Sequence, residues 1–87
     1  MKLKYDFVSN KVADSVIAVA VGEDISSFNS FIKLNETGAF IFNLLKNEIS
    51  REEILACLKE EYSAPEKELE IELDAFIEEL KKAEVLD

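Results

Sequence analysis

The stretch Leu34-Asn35-Glu36-Thr37-Gly38-Ala39-Phe40-Ile41-Phe42 marks a change from an extended segment to a helix. Asn35 is one of the residue types whose side chains cap the free backbone amides at a helix start. After it, apolar residues recur at helical spacing as far as Leu45. Gly38 has no side chain, which permits a neighbouring element to approach closely early in the helix. The pattern predicts a strand that ends at Leu34 and a helix over residues 36–46.

The residues before this junction alternate between two faces in the manner of β-strands. Residues 16–21 predict a strand whose bulky face is formed by Ile17, Val19 and Val21. Residues 28–34 predict a second strand, with Ile32 and Leu34 on one side and Phe31 and Lys33 on the other. A short extra strand is expected over residues 5–12, where a Ser9-Asn10 pair interrupts the apolar pattern. Together the three predict a small antiparallel sheet.

Two further helices are predicted after the junction. Ser50 and Glu53 have the spacing of a capping box, which opens a helix over residues 51–61. Pro65 suits the first turn of a third helix, because its missing amide proton would have no partner there. The apolar stripe of that helix consists of Leu69, Leu73, Phe76, Ile77 and Leu80. No linker divides the chain, so residues 1–87 are expected to form one α+β domain with the outline of a winged helix-turn-helix.

Composition excludes several classes of function. The 87 residues carry 19 acidic and 10 basic side chains, and a net charge of -9 would repel a phosphate backbone. There is no histidine and one cysteine, Cys57, so we expect no metal, no cofactor and no catalytic residue. No apolar run approaches the roughly 20 residues of a membrane helix, and no signal peptide is evident. The chain is therefore predicted to be cytoplasmic, with neither nucleic acid nor a membrane as partner.

The junction stretch resembles the "LNETGAxIW" signature of the PqqD-like family, whose members are also called precursor-peptide recognition elements. The resemblance extends over roughly residues 10–87, through Ser50-Arg51-Glu52-Glu53-Ile54, Tyr62 and Phe76-Ile77-Glu78-Glu79-Leu80. Three residues depart from the family pattern: Phe42 replaces a frequent tryptophan, Glu72 a common aspartate, and Glu84 a usual glycine. The last departure concerns the end of helix three, where glycine most easily takes the left-handed cap conformation.

The resemblance implies a binding site for the leader segment of a ribosomally made precursor peptide. In such proteins the leader adds as an antiparallel strand beside the third strand, in the groove between that strand and the third helix. Carried onto this chain, the strand edge supplies Phe28, Phe31, Ile32, Lys33 and Leu34. The facing helix supplies Glu70, Leu73, Asp74, Ile77 and Lys81. Phe31 and Ile77 are the candidate apolar pocket, while Lys33 and Lys81 are expected to attract an acidic leader. Core packing is the competing interpretation for Leu73 and Ile77.

The implied partners are the precursor peptide and a separate modifying enzyme. The family suggests a radical S-adenosylmethionine enzyme or another tailoring enzyme, and this chain would hold no cofactor of its own. Its role would be to raise the effective concentration of the peptide at that enzyme. An exposed strand edge also leaves room for a homodimer, edge-paired or domain-swapped. Ile71 lies almost opposite the apolar stripe of helix three and is expected to be exposed.

Four other classes of protein compete with this interpretation. An acyl or peptidyl carrier protein is also small and acidic, and Asp14-Ser15 supplies the dipeptide in which Ser15 would carry phosphopantetheine. A carrier, however, needs that serine at a helix start, and here a β-like run follows it. A structural scaffold stays open, whereas an enzyme is disfavoured because no carboxylate has an apolar setting that would raise its pKa. A winged-helix DNA-binding protein conflicts with the acidic third helix.

Overall fold

The computed structural model describes residues 1–21 and 31–87. Three strands precede three helices: β1 (Asp6–Val12), β2 (Ser15–Val21), β3 (Phe31–Leu34), α1 (Glu36–Leu44), α2 (Arg51–Glu61) and α3 (Glu66–Lys82). The strands form one antiparallel sheet in the order β1-β2-β3. The predicted α+β architecture is therefore confirmed. The predicted third strand began at Phe28, and its first three residues lie outside the described part of the chain.

The strand β2 turns its smallest residues, and not its bulkiest ones, toward the helices. Ala18 and Ala20 are buried at 0% and 5% exposure, whereas Val19 and Val21 on the opposite face are 43% and 41% exposed. Small side chains let the helices pack close to β2, while the valines satisfy the preference of a pleated strand for β-branched residues. The bulky face of this strand, with Ile17, Val19 and Val21, is thus on the outer side of the sheet.

The first strand covers nearly the predicted residues and is more regular than the sequence suggests. The Ser9-Asn10 pair does not interrupt it, because both residues pair with β2 in an unbroken register from Asp6↔Val21 to Val12↔Ser15. Ala13 and Asp14 form the two-residue turn, and Ala13 has a positive φ of 55°. A positive φ at the first turn residue is the arrangement of a type II′ hairpin, which usually has glycine there.

The junction forms as its residue types predict. The Asn35 side chain accepts a hydrogen bond of 2.7 Å from the Gly38 amide, which caps α1. The helix ends at Leu44, two residues before the predicted end. Leu45, which follows it, is fully buried, and its carbonyl accepts a hydrogen bond of 3.0 Å from the Leu3 amide. The Ile49 amide, which a continuing helix would pair with this carbonyl, donates instead to the Met1 carbonyl at 3.1 Å.

The other two helices begin as predicted. Ser50 and Glu53 form both hydrogen bonds of a capping box at the start of α2. Pro65 directly precedes the first residue of α3 and gives it no side-chain cap. At the other end of α3, Glu84 has a φ of 59°, so a glutamate occupies the left-handed conformation that glycine takes most easily.

The two ends of the chain are joined to each other. The Lys4 amide donates to the Val85 carbonyl at 2.8 Å, and the Asp87 amide donates to the Lys2 carbonyl at 2.8 Å. Leu3 forms an isolated antiparallel bridge with Leu86. Leu3 and Val85 are both buried, so this junction is part of the core.

The core lies between the inner face of the sheet and the three helices. It contains two aromatic rings in edge-to-face contact, Phe7 from β1 and Phe42 from α1, with centroids 4.9 Å apart. Its remaining members are mainly leucine and isoleucine from the helices. Among residues 1–21 and 31–87, no helix is both long enough and apolar enough to cross a membrane.

Candidate functional site

The free edge of β3 is the first component of the site. β3 pairs with β2 from Val16↔Leu34 to Val19↔Phe31, and no strand of the described residues pairs with its other side. In an antiparallel ladder every second residue points both its N–H and its C=O away from the existing partner. These groups are strong donors and acceptors, and they are suited to an added peptide strand.

A cleft of about 200 Å³ begins where β3 ends and separates the start of α1 from α3. The wall on α1 consists of Asn35, Thr37, Gly38 and Ile41. The wall on α3 consists of Glu72, Ala75, Phe76 and Glu79, which recur at the spacing of a single helix face. The cleft therefore opens at the end of β3 from which the chain enters α1.

Gly38 sets how closely the two walls approach. A Cβ atom at this position would lie 3.2 Å from Cε1 of Phe76 and 3.1 Å from Oδ1 of Asn35. Both distances are shorter than ordinary van der Waals contact between such atoms. The close approach predicted for Gly38 is therefore present, and the element that comes near is α3.

The strand residues predicted for the site fall on both faces of the sheet. Ile32 and Leu34 face the helices, where Ile32 is half-buried and Leu34 is 3% exposed. Phe31, 61% exposed, and Lys33 lie on the outer face. Phe28 is outside the described residues. An added strand would thus meet helix-side and solvent-side residues in alternation.

The helix residues predicted for the site are divided between the core and the side of α3 that faces α2. Leu73 and Ile77 are in the core, at 0% and 6% exposure. Asp74 accepts hydrogen bonds from the Arg51 side chain at 2.7 Å and 2.9 Å, and Glu70 lies 4.0 Å from the same guanidinium. Lys81 is exposed and does not line the cleft. The apolar pair Phe31 and Ile77 is not brought together on one face of the sheet.

The charges on the two sides of α3 differ in their surroundings. The pKa of Asp74 is lowered from its ordinary value, first by the hydrogen bonds from Arg51 and then by the charge of that guanidinium. Asp74 in turn raises the pKa of Arg51. Glu72 and Glu79, on the cleft side, form no ion pair with any other described residue. The carboxylates at the cleft are therefore available to a bound partner, while Asp74 is engaged within the fold.

The cleft face of α3 is the part of the site that the sequence analysis did not identify. Glu72, Ala75 and Glu79 flank one side of the apolar stripe, and the predicted residues Glu70, Asp74 and Lys81 flank the other. Gly38 could have indicated this face, because a glycine early in a helix implies that another element packs closely against it. Its neighbour, Phe76, then indicates which flank of α3 faces α1.

Comparison with known families identifies the fold. The family model of coenzyme PQQ synthesis protein D (PqqD) matches residues 15–86. The chain belongs to the PqqD family. The match includes β2, β3 and all three helices, and so it contains both walls of the cleft and the strand edge beside it. The resemblance drawn from residues 34–42 is confirmed.

A solved structure extends the comparison to this PqqD-family fold as a whole. The structure of TbiB1 in complex with the TbiA(β) leader peptide matches it with a TM-score of 0.77 and 26% sequence identity. The alignment covers 100% of this chain and 95% of that chain. A comparison with curated proteins gave no match.

Proposed function

We propose that this PqqD-family protein binds the leader of a ribosomally synthesised precursor peptide along the free edge of β3 and presents it to a modifying enzyme. The observation that carries the proposal is the unpaired side of β3, together with the cleft between α1 and α3 that opens where this strand ends. The likeness to TbiB1, solved in complex with a leader peptide, supports the same occupant.

Strand addition supplies affinity through the peptide backbone and selectivity through alternate side chains. A leader strand beside β3 would direct one series of side chains toward Ile32 and the cleft, and the other series past Phe31 and Lys33. Lys33 favours an acidic leader residue on the outer face. Glu72 and Glu79 favour a neutral or basic residue at the cleft.

The chemistry of modification belongs to a separate enzyme in this proposal. The family favours a radical S-adenosylmethionine enzyme as the client. Binding the leader raises the local concentration of the attached core peptide at that enzyme, and it requires no reactive group in the presenting protein.

A scan of the leader peptide by N-methylation tests strand addition. Each N-methyl group removes one backbone donor and hinders pairing on one side of the strand. For the leader encoded beside the gene, we expect the dissociation constant to rise about tenfold or more at every second position, and little at the positions between. A leader that binds as a helix would lack this two-residue period, and a uniformly unaffected leader would exclude backbone pairing.

The position of Ser15 bears on the carrier-protein alternative. Ser15 is the first residue of β2 and follows the tight turn at Ala13 and Asp14. A phosphopantetheine-bearing serine in a carrier protein was expected at a helix start, and this serine begins a strand. The geometry therefore favours the leader-binding proposal over a carrier role.

A further inference from the structure

The outer face of the sheet carries an apolar row that crosses all three strands. The register places Val8 opposite Val19, and Val19 opposite Phe31. These side chains are 49%, 43% and 61% exposed, and Val21 beside them is 41% exposed. The inner face is already occupied by the helices, so this row is a second apolar surface, on the opposite side of the sheet from the cleft.

Two opposite charges lie at diagonal corners of this face. Asp6 of β1 pairs with Val21, which is two residues after Val19 on β2. Lys33 of β3 pairs with Ile17, which is two residues before Val19 on β2. From the strand spacing and the rise per residue, each charge is about 8 Å from Val19. Neither side chain forms an ion pair with another residue in the described ranges.

We propose that a second copy of this chain packs on the outer sheet face, related by a two-fold axis that passes over Val19. The axis lies parallel to the sheet and perpendicular to the line from Asp6 to Lys33. It places Asp6 of each copy over Lys33 of the other copy. The same rotation puts Phe31 of each copy between Val19 and Val21 of its partner. The strands of the two sheets then cross at roughly 70°, in the range between aligned and orthogonal sheet packing.

The charge arrangement favours a second copy over an unrelated partner. A two-fold contact must be self-complementary, since each residue meets the residues that its own symmetry mate presents. Among residues 1–21 and 31–87, this face has one acid and one base at equal distances from a central valine, which meets that requirement. Because each chain also carries a net charge of -9, the contact has to overcome a general repulsion between copies.

The area of this face determines how tightly the two copies are expected to bind. Strands about 4.8 Å apart that rise about 3.4 Å per residue give a face of roughly 300 Å² per copy, well under half of the ~800 Å² per partner of a standard interface. We therefore expect a weak dimer, with a dissociation constant on the order of 100 μM. The cleft and the backbone groups on the free edge of β3 lie outside this contact, whereas Phe31 and Lys33 belong to it, so a leader side chain on the outer face and the second copy would contact the same two residues.

Sedimentation equilibrium of the free protein, from about 10 μM to about 1 mM at physiological ionic strength, tests the proposal. Asp6→Lys and Lys33→Asp are each expected to weaken dimerisation about tenfold, because each sets like charges against each other across the interface. The Asp6→Lys/Lys33→Asp double variant restores opposite charges across the interface. Its dimer dissociation constant should lie within about threefold of the wild-type value. Val19→Lys should abolish the dimer.

Ile71→Lys is the matched control, because Ile71 is also an exposed apolar residue, at 62%, but lies on α3. It should leave the dimer unchanged, and circular dichroism of every variant checks that the fold is retained. A wild-type protein that stays monomeric to about 1 mM would overturn the proposal and leave the face to another partner. The proposal would also be overturned if the double variant dimerised no more tightly than the single variants, or if Ile71→Lys weakened the dimer as much as Val19→Lys.

Discussion

Arg51 and Asp74 connect the first turn of α2 to the middle of α3 through two parallel hydrogen bonds, Nε to Oδ1 at 2.7 Å and Nη2 to Oδ2 at 2.9 Å. A guanidinium and a carboxylate joined in this way have a fixed relative orientation. The pair therefore helps to determine the rotation of α3 about its own axis. The opposite flank of that helix, with Ala75 and Glu79, is the one left to line the cleft.

The Arg51–Asp74 pair predicts a dependence of stability on pH. The pKa of Asp74 is lowered in the folded protein, so its contribution is fully present above the pKa of the unfolded chain and is lost as the pH falls through the folded value. Asp74→Asn should lower the urea midpoint at neutral pH, and the difference from wild type should shrink as the pH falls below about 4. The effect should be modest and sensitive to salt, because both side chains are partly exposed. Glu78→Gln, on the exposed side of α3, is the control and should show no such difference.

The left-handed conformation of Glu84 predicts a stabilising substitution. A residue with a Cβ pays a steric penalty at a φ of 59°, and glycine does not. Glu84→Gly should raise the free energy of unfolding by about 1 kcal/mol, as measured by urea denaturation. Ala83→Gly is the matched control, because Ala83 has a right-handed φ of -80°. It should destabilise the protein, and a gain of similar size from both variants would contradict the explanation.

The contact between Gly38 and Phe76 predicts an energetic coupling. Gly38→Ala gains about 1 kcal/mol of helix propensity, but its Cβ would meet the Phe76 ring at 3.2 Å. In the wild-type background the two effects should largely offset each other. In a Phe76→Leu background the ring is absent, so the same alanine should be more favourable by about 0.5–1 kcal/mol. The four proteins to compare are the wild type, the two single variants and the double variant. If the effects of the two substitutions on the free energy of unfolding are additive, the Phe76 ring does not limit the side chain at position 38.

The cleft face of α3 predicts the effect of a substitution on leader binding. Arginine at position 75 would have Glu72 and Glu79 one turn away on either side, and the resulting ion pairs would hold its side chain along the α3 wall of the cleft, in space that a leader would occupy. Ala75→Arg should raise the dissociation constant for the leader about tenfold or more, as measured by calorimetry. Ala56→Arg places the same side chain at an exposed position of α2, outside the cleft, and should leave the affinity unchanged. Equal effects from both variants would indicate that the leader does not enter the cleft.

The helix caps that the sequence predicted correctly are held by local interactions. The Asn35 cap and the Ser50–Glu53 capping box each join residues three positions apart, so residue type and spacing suffice to predict them. The orientation of α3 is not local in this sense. The acids on its two flanks look alike in sequence, and Arg51, 23 residues before Asp74, distinguishes them only after the helices have packed. The Leu3–Leu86 bridge was missed for the same reason.

The joining of the two chain ends has a consequence for how the protein opens. The Lys4 amide is bonded to the Val85 carbonyl beside buried side chains, so it should exchange with deuterium only when the whole domain unfolds. The amides of β3 lie at the edge of the sheet, where local fraying is enough to expose them. Hydrogen exchange can therefore separate the two processes within one sample. The Lys4 amide reports global unfolding, and the amides of Phe31–Leu34 report local opening of the edge to which a peptide would bind.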